Sequence, residues 1–188
     1  DGDTFVLASP SAGSSNTVTL DGRVVINEIQ LNPPLEASSA EYVELHNKGG
    51  QAVNITGWRL DKGVSYIFSS ATIPAGGYLI VSGDPAAVAA RYGSSVVHGP
   101  WTGRLSGSAE KVELKDALGN RVDIVHYADD GRWPASTDLT GPDGHGPSIE
   151  LENPSMENNH GSAWAASDGL GTPGAANSRL ASDPAPVI

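Results

Sequence analysis

Residues 24–60 read VVINEIQLNPPLEASSAEYVELHNKGGQAVNITGWRL, and the order of residue types in this stretch predicts strand, loop, strand, turn, strand. Val24, Val25 and Ile26 are β-branched, which disfavours helix and suits a pleated surface. Asn32-Pro33-Pro34 ends that run, because proline cannot donate to a ladder. In Glu41-Tyr42-Val43-Glu44-Leu45, alternation puts Val43 and Leu45 on one face and Tyr42 and Glu44 on the other. Gly49-Gly50 supplies a turn able to reach positive φ. Val53 and Ile55 resume the pattern, and Trp58, the largest apolar group of the stretch, is expected at the centre of a core.

Outward from this stretch the same grammar continues. Asp61-Lys62-Gly63 reads as a tight hairpin turn returning through Val64–Phe68. Tyr78-Leu79-Ile80-Val81 is an apolar run expected to be a buried strand. One helix is expected, over residues 84–92. Asp84 can cap its free N–H groups, Pro85 sits where a missing N–H costs nothing, and Gly93 can end it. Lys111–Lys115, Arg121–Tyr127 and Ser148–Glu152 complete roughly eight or nine short strands separated by turn signals, the pattern of an all-β sandwich. Residues 1–22 read as a lead-in, 23–177 as the domain and 178–188 as a linker. The abrupt start at Asp1 suggests a piece excised from a longer chain.

Composition narrows the function classes. The 188 residues carry 11 Lys and Arg against 22 Asp and Glu, a net charge of −11. DNA and anionic membrane surfaces are therefore expected to be repelled in bulk, and no basic stripe is visible along the chain. There is no cysteine, which removes disulfides, thiolate metal sites and a cysteine nucleophile. No apolar run is long enough to span a bilayer, so direct membrane insertion is not expected.

The sequence resembles a lamin tail domain of the bacterial type. The resemblance rests on Ile26-Asn27-Glu28-Ile29, on Glu41-Tyr42-Val43-Glu44-Leu45-His46-Asn47, on Ile55-Thr56-Gly57-Trp58-Arg59-Leu60 and on Ile73-Pro74-Ala75-Gly76-Gly77-Tyr78. The ending DGHGPSIELENPSMENNHGSAWAASDGLGTPGAAN, residues 143–177, is similar to the close of such domains in secreted multidomain proteins. The resemblance implies an immunoglobulin-like β-sandwich. It also implies an accessory module of a large extracellular or cell-envelope bacterial protein. The leading expectation is a non-catalytic interaction or spacing module, with neighbouring domains of its parent chain as partners and another protein or a glycan as further candidates. Nucleic-acid binding is not carried over, because this chain is acidic.

Candidate chemistry is sparse. Glu28, Glu41 and Glu44, with Asp143 from the Asp143-Gly144-His145-Gly146 loop, form a possible calcium set, since hard oxygen ligands from adjacent strands suit that ion. Asp129, Asp130 or Asp138 could add to it. The competing reading has these carboxylates facing solvent or pairing with Arg59 and Arg121 across strands. Calcium apart, no cofactor is expected. Trp101, Trp133 and Trp164 fall in expected loops. Exposed together they would make an aromatic platform for sugar; otherwise they plug the ends of the sandwich. The five histidines form neither HExxH nor HxH, and no GxSxG elbow, phosphate loop or dinucleotide motif occurs. The chain is accordingly not expected to be an enzyme.

Overall fold

The strand β1 (Val24–Gln30) is buried along its whole length, so it has neighbours on both faces as well as both edges. It pairs antiparallel with β2 (Tyr42–Asn47) on one side and with a strand from much later in the chain, Ile149–Leu151, on the other. The structure, a computed structural model, describes residues 12–13, 21–34, 39–93, 96–134 and 146–181. The short strand expected at Thr4–Leu7 and the edge strand at Thr17–Leu20 lie outside them.

Thirteen strands are found among the described residues: after β1 and β2 come β3 (Val53–Asn54), β4 (Arg59–Asp61), β5 (Val64–Ile67), β6 (Thr72–Ile73) and β7 (Tyr78–Ser82). The helix α1 (Pro85–Tyr92) is followed by β8 (Val97–His98), β9 (Thr102–Gly103), β10 (Ala109–Lys115), β11 (Arg121–Ala128), β12 (Ile149–Leu151) and β13 (Trp164–Ala166). They form a six-stranded sheet in the order β13-β12-β1-β2-β7-β8, a five-stranded sheet in the order β11-β10-β4-β5-β9, and the small pair β3-β6. The chain is a mostly β, immunoglobulin-like sandwich with a single short α-helix among the described residues.

Between the sheets lies one apolar cluster. Ile26, Ile29, Val43, Leu45 and Leu79 come from the first sheet; Leu60, Val64, Val112, Leu114 and Val125 come from the second. Trp58, 7% exposed, and Phe68 fill its middle. A second, smaller cluster of Ala40, Tyr42, Ile80 and Val88 sits on the outer face of the six-stranded sheet, where α1 packs. The helix starts where the sequence places it: Asp84 accepts from the Ala87 N–H at 3.0 Å, Pro85 occupies the first turn, and Gly93 in the left-handed region closes the end.

Turn chemistry sets the registers. Lys62 and Gly63 both have positive φ, 64° and 54°. This is the two-residue primed turn that follows the natural twist of a hairpin, here joining β4 to β5. In β1 the register slips by one residue between Ile26 and Glu28, a bulge at Asn27. The Ile26 N–H donates to Asp123 Oδ2 at 2.6 Å, so a side chain from β11 in the opposite sheet satisfies it. The bulge turns Asn27 towards the outer face of the sheet, beside Glu28, and thereby shapes the site described next.

The edge strand β11 is also protected. Its Ile124 N–H donates to Asp123 Oδ1 at 2.8 Å and its His126 N–H to Asn159 Oδ1 at 2.8 Å. Side chains thus occupy donors that would otherwise invite a further strand.

A carboxylate row beneath a C-terminal strap as the candidate functional site

Glu44, Glu28 and Glu150 stand side by side on β2, β1 and β12, each directly opposite the next in the ladder. All three are fully buried. Like charges in register repel, and no lysine or arginine side chain pairs with them among the described residues. Neutral donors take that place. Glu28 Oε1 accepts from Tyr42 Oη at 2.6 Å, Ser148 Oγ at 2.5 Å and the Thr172 N–H at 2.9 Å. Glu44 accepts from Asn27 Nδ2 at 2.9 Å and the Gly174 N–H at 2.5 Å. Glu150 accepts from Thr172 Oγ1 at 2.7 Å, Ser178 Oγ at 2.7 Å and the Arg179 N–H at 2.9 Å.

One segment supplies most of these donors. Residues 168–181 run across the outer face as a strap, and each carboxylate accepts at least one of its backbone N–H groups. Asn177 anchors it, donating from Nδ2 to the carbonyls of Asn27 at 3.1 Å and Leu151 at 2.9 Å, while its Oδ1 accepts from Asn27 Nδ2 at 2.7 Å. Gly171, at φ 112°, lies where a Cβ would stand 2.5 Å from Glu28 Oε1; glycine lets the backbone come that close. Burial pushes the Glu28 carboxyl up to about 7 against the pull of its donors. Burial, followed by repulsion from Glu28, pushes Glu44 up to about 8.

Several expectations change at this point. Glu28 and Glu44 neither face solvent nor pair with Arg59 or Arg121, because both arginines belong to the other sheet and Arg121 pairs with Glu113. Glu41 does not join them. It sits just before β2, bound by Arg104 Nε at 3.0 Å and the Leu105 N–H at 3.3 Å, and burial raises its pKa. Asp143 and Asp138 lie outside the described residues. No group of three acidic or histidine side chains suited to a metal occurs among the described residues. With the oxygens of Glu28 and Glu44 already engaged by the chain's own donors, addition of calcium or of a chelator is expected to leave the melting temperature unchanged. A rise of several degrees with calcium, through linkage of binding to folding, would reveal a site.

The tryptophans do not form a platform. Trp101 and Trp164 are 6% and 4% exposed, and both belong to the core. Trp164 donates from Nε1 to the Asn158 carbonyl at 2.7 Å, and the partly buried Trp133 leans on it with ring centroids 6.1 Å apart. Trp101 lines a separate hollow with Gly83 and Arg104. Ser178 and Arg179, expected in a linker, hold Glu150 and belong to the folded domain.

Glu150, Tyr42, Ser148, Thr172, Asn27 and Asn177 are site residues that the sequence pattern does not single out. The available signal is one Glu at an outward position in each of three similar short stretches, INEI, YVEL and SIEL. Beside the strap, a hollow of about 380 Å³ is lined by His46 and Tyr78, stacked at 4.5 Å. His46 Nδ1 is 3.1 Å from the Gly77 carbonyl, and burial lowers the imidazole pKa.

The family model described as Lamin Tail Domain matches residues 17–129, more than half of the chain. Comparison with curated proteins gave no match. The matched span includes Glu28 and Glu44 and stops before Glu150 and the strap.

Proposed function

Because the chain belongs to the lamin tail domain family, whose immunoglobulin-like members typically mediate protein interactions and are generally non-catalytic, we propose that it is an interaction or spacing module of a secreted bacterial protein. The observation that carries this reading is the use to which the buried carboxylate row is put. Glu28, Glu44, Glu150, Tyr42 and Ser148 hold a strap to a sheet, with their hydrogen-bonding capacity spent inside the fold. A catalytic acid or base needs an atom within reach of a substrate proton; these oxygens are sealed. The secreted, multidomain context is supported by the likeness of residues 143–177 to the close of domains found in such proteins. Its partners are then neighbouring domains of the parent chain or a second protein.

The test is a panel of ester, phosphoester, glycoside and peptide substrates offered to the isolated chain and to the Glu28→Gln variant. Both are expected to show the same background. Turnover by the parent chain that the variant loses would make the carboxylate row a catalytic centre and overturn the proposal. Within a longer parent protein, excising residues 21–181 is expected to alter association or domain spacing and leave any neighbouring enzyme's turnover intact.

A further inference from the structure

The outer face of the five-stranded sheet gathers cations that the linear sequence scatters. Ile67 on β5 lies opposite Arg59 on β4, Arg59 opposite Lys115 on β10, and Lys115 opposite Arg121 on β11. Three cations therefore stand in one row across three adjacent strands. Two residues further along, about 6.7 Å by strand geometry, runs the row of Asp61, Glu113 and Ile124. Beyond it Lys111 faces His126.

The two acidic groups of this face are already engaged. Lys115 Nζ lies 2.9 Å from Asp61 Oδ2 and 3.2 Å from Glu113 Oε2, while Arg121 Nε takes Glu113 Oε1 at 3.2 Å. The side chains of Arg59 and Lys111 have no acidic partner among the described residues. With four cations and two carboxylates the face is positive by two charges, in a chain whose net charge is −11. Ile67 is 63% exposed at the end of the first row. No described element covers this surface, unlike the outer face of the other sheet, which carries the strap and α1.

We infer that this face is a docking surface for an acidic protein segment in which acidic and apolar side chains alternate. The inference rests on the interaction-module reading and names the surface and the kind of partner. Charge complementarity selects the occupant. The unpaired cations are few, carboxylates stand between them, and the rest of the molecule is strongly acidic. A dense polyanion such as duplex DNA or an anionic bilayer meets bulk repulsion, whereas a segment with a few spaced carboxylates meets Arg59, Lys111 and Arg121 and rests its apolar residues on Ile67 and Ile124.

The experiment uses three probes at low and physiological salt: a twelve-residue peptide alternating glutamate and valine, a DNA duplex, and phosphatidylglycerol vesicles. The peptide is expected to bind, with affinity falling as salt rises. The combined variant Arg59→Gln, Lys111→Gln and Arg121→Gln is expected to weaken it roughly tenfold or more. The variant Lys48→Gln and Arg179→Gln, whose cations lie just past the end of β2 and on the strap, is expected to leave binding unchanged. Lys111→Gln alone, which breaks no ion pair among the described residues, gives a second reading should the combined variant fold poorly. Equal loss in both sets of variants, DNA or vesicles bound as tightly as the peptide, or self-association abolished by the same substitutions would each assign the face to something else and overturn the inference. So would absence of any binding; that result leaves the module reading standing, since the substrate panel tests it separately.

Discussion

Gly171→Ala is expected to lower the melting temperature by roughly 4–16 °C, whereas Gly169→Ala, two residues earlier in the same strap, lowers it by roughly 2–4 °C, taking ~2–4 °C per kcal/mol for a chain of this size. Both glycines have positive φ, 112° and 74°. Each substitution therefore carries the backbone strain of an L-residue in that region, about 1 kcal/mol. They differ in the space around the new methyl. At Gly169 nothing lies within 4 Å; at Gly171 the methyl would stand 2.5 Å from Glu28 Oε1 and 2.9 Å from Ser148 Oγ, with Tyr42 Oη closer still. Those groups are locked to one another by the hydrogen bonds that neutralise Glu28, so none can yield without leaving a buried carboxylate short of a donor. Overpacking of this kind adds about 1–3 kcal/mol. Thermal unfolding followed by circular dichroism compares the two variants. Equal shifts would mean that the strap does not approach the carboxylate row as closely as its hydrogen bonds require.

The parts of the fold that local chemistry determines are readable in the sequence. Asp84-Pro85 and Gly93 announce both ends of α1, and Lys62-Gly63 announces the β4–β5 turn. The alternation of Val43 and Leu45 identifies the core face of β2. The opposite face misleads for a reason that period-two patterning cannot reveal. Tyr42 and Glu44 look like a solvated face, yet α1 and the strap bury them. The strap has no periodicity of its own. GLGTPGAANS forms no strand, and its order comes from hydrogen bonds to Glu28, Glu44 and Glu150. The pairing of Glu28 with Glu150 joins positions far apart in the chain, so the row exists only once β12 has docked on β1. The basic face has the same character: Arg59, Lys111, Lys115 and Arg121 are ordinary strand residues until register places them together.

Stability is expected to fall as pH rises from about 4.5 to about 8, and Glu28 and Glu44 carry the largest share of this alkaline arm. Burial raises both carboxyls from an ordinary 4.5, to about 7 for Glu28 and about 8 for Glu44. The folded state therefore holds protons that the unfolded chain releases. That contribution is complete below about 4.5 and is lost as pH climbs through 7 and 8. Each tenfold difference in proton affinity between the folded and unfolded chain is worth about 1.4 kcal/mol, so the arm amounts to a few kcal/mol. An acid arm opposes it. Hydrogen bonds from Lys115 and Arg23 lower Asp61 and Asp21, and burial lowers His46, so stability from these groups is present at higher pH and lost as pH falls through their folded values. The exposure of both ion pairs keeps that arm shallow. Glu44→Gln separates the two. Its amide oxygen can accept from Gly174 or Asn27 but not from both, which costs about 1 kcal/mol where Glu44 is protonated. At pH 9 the variant carries no buried charge at that position and relieves the repulsion on Glu28. Melting temperatures of parent and variant are therefore expected to cross between about pH 4.5 and 8, with the variant lower on the acid side and higher on the alkaline side. Parallel curves would place the alkaline arm in groups other than the carboxylates beneath the strap.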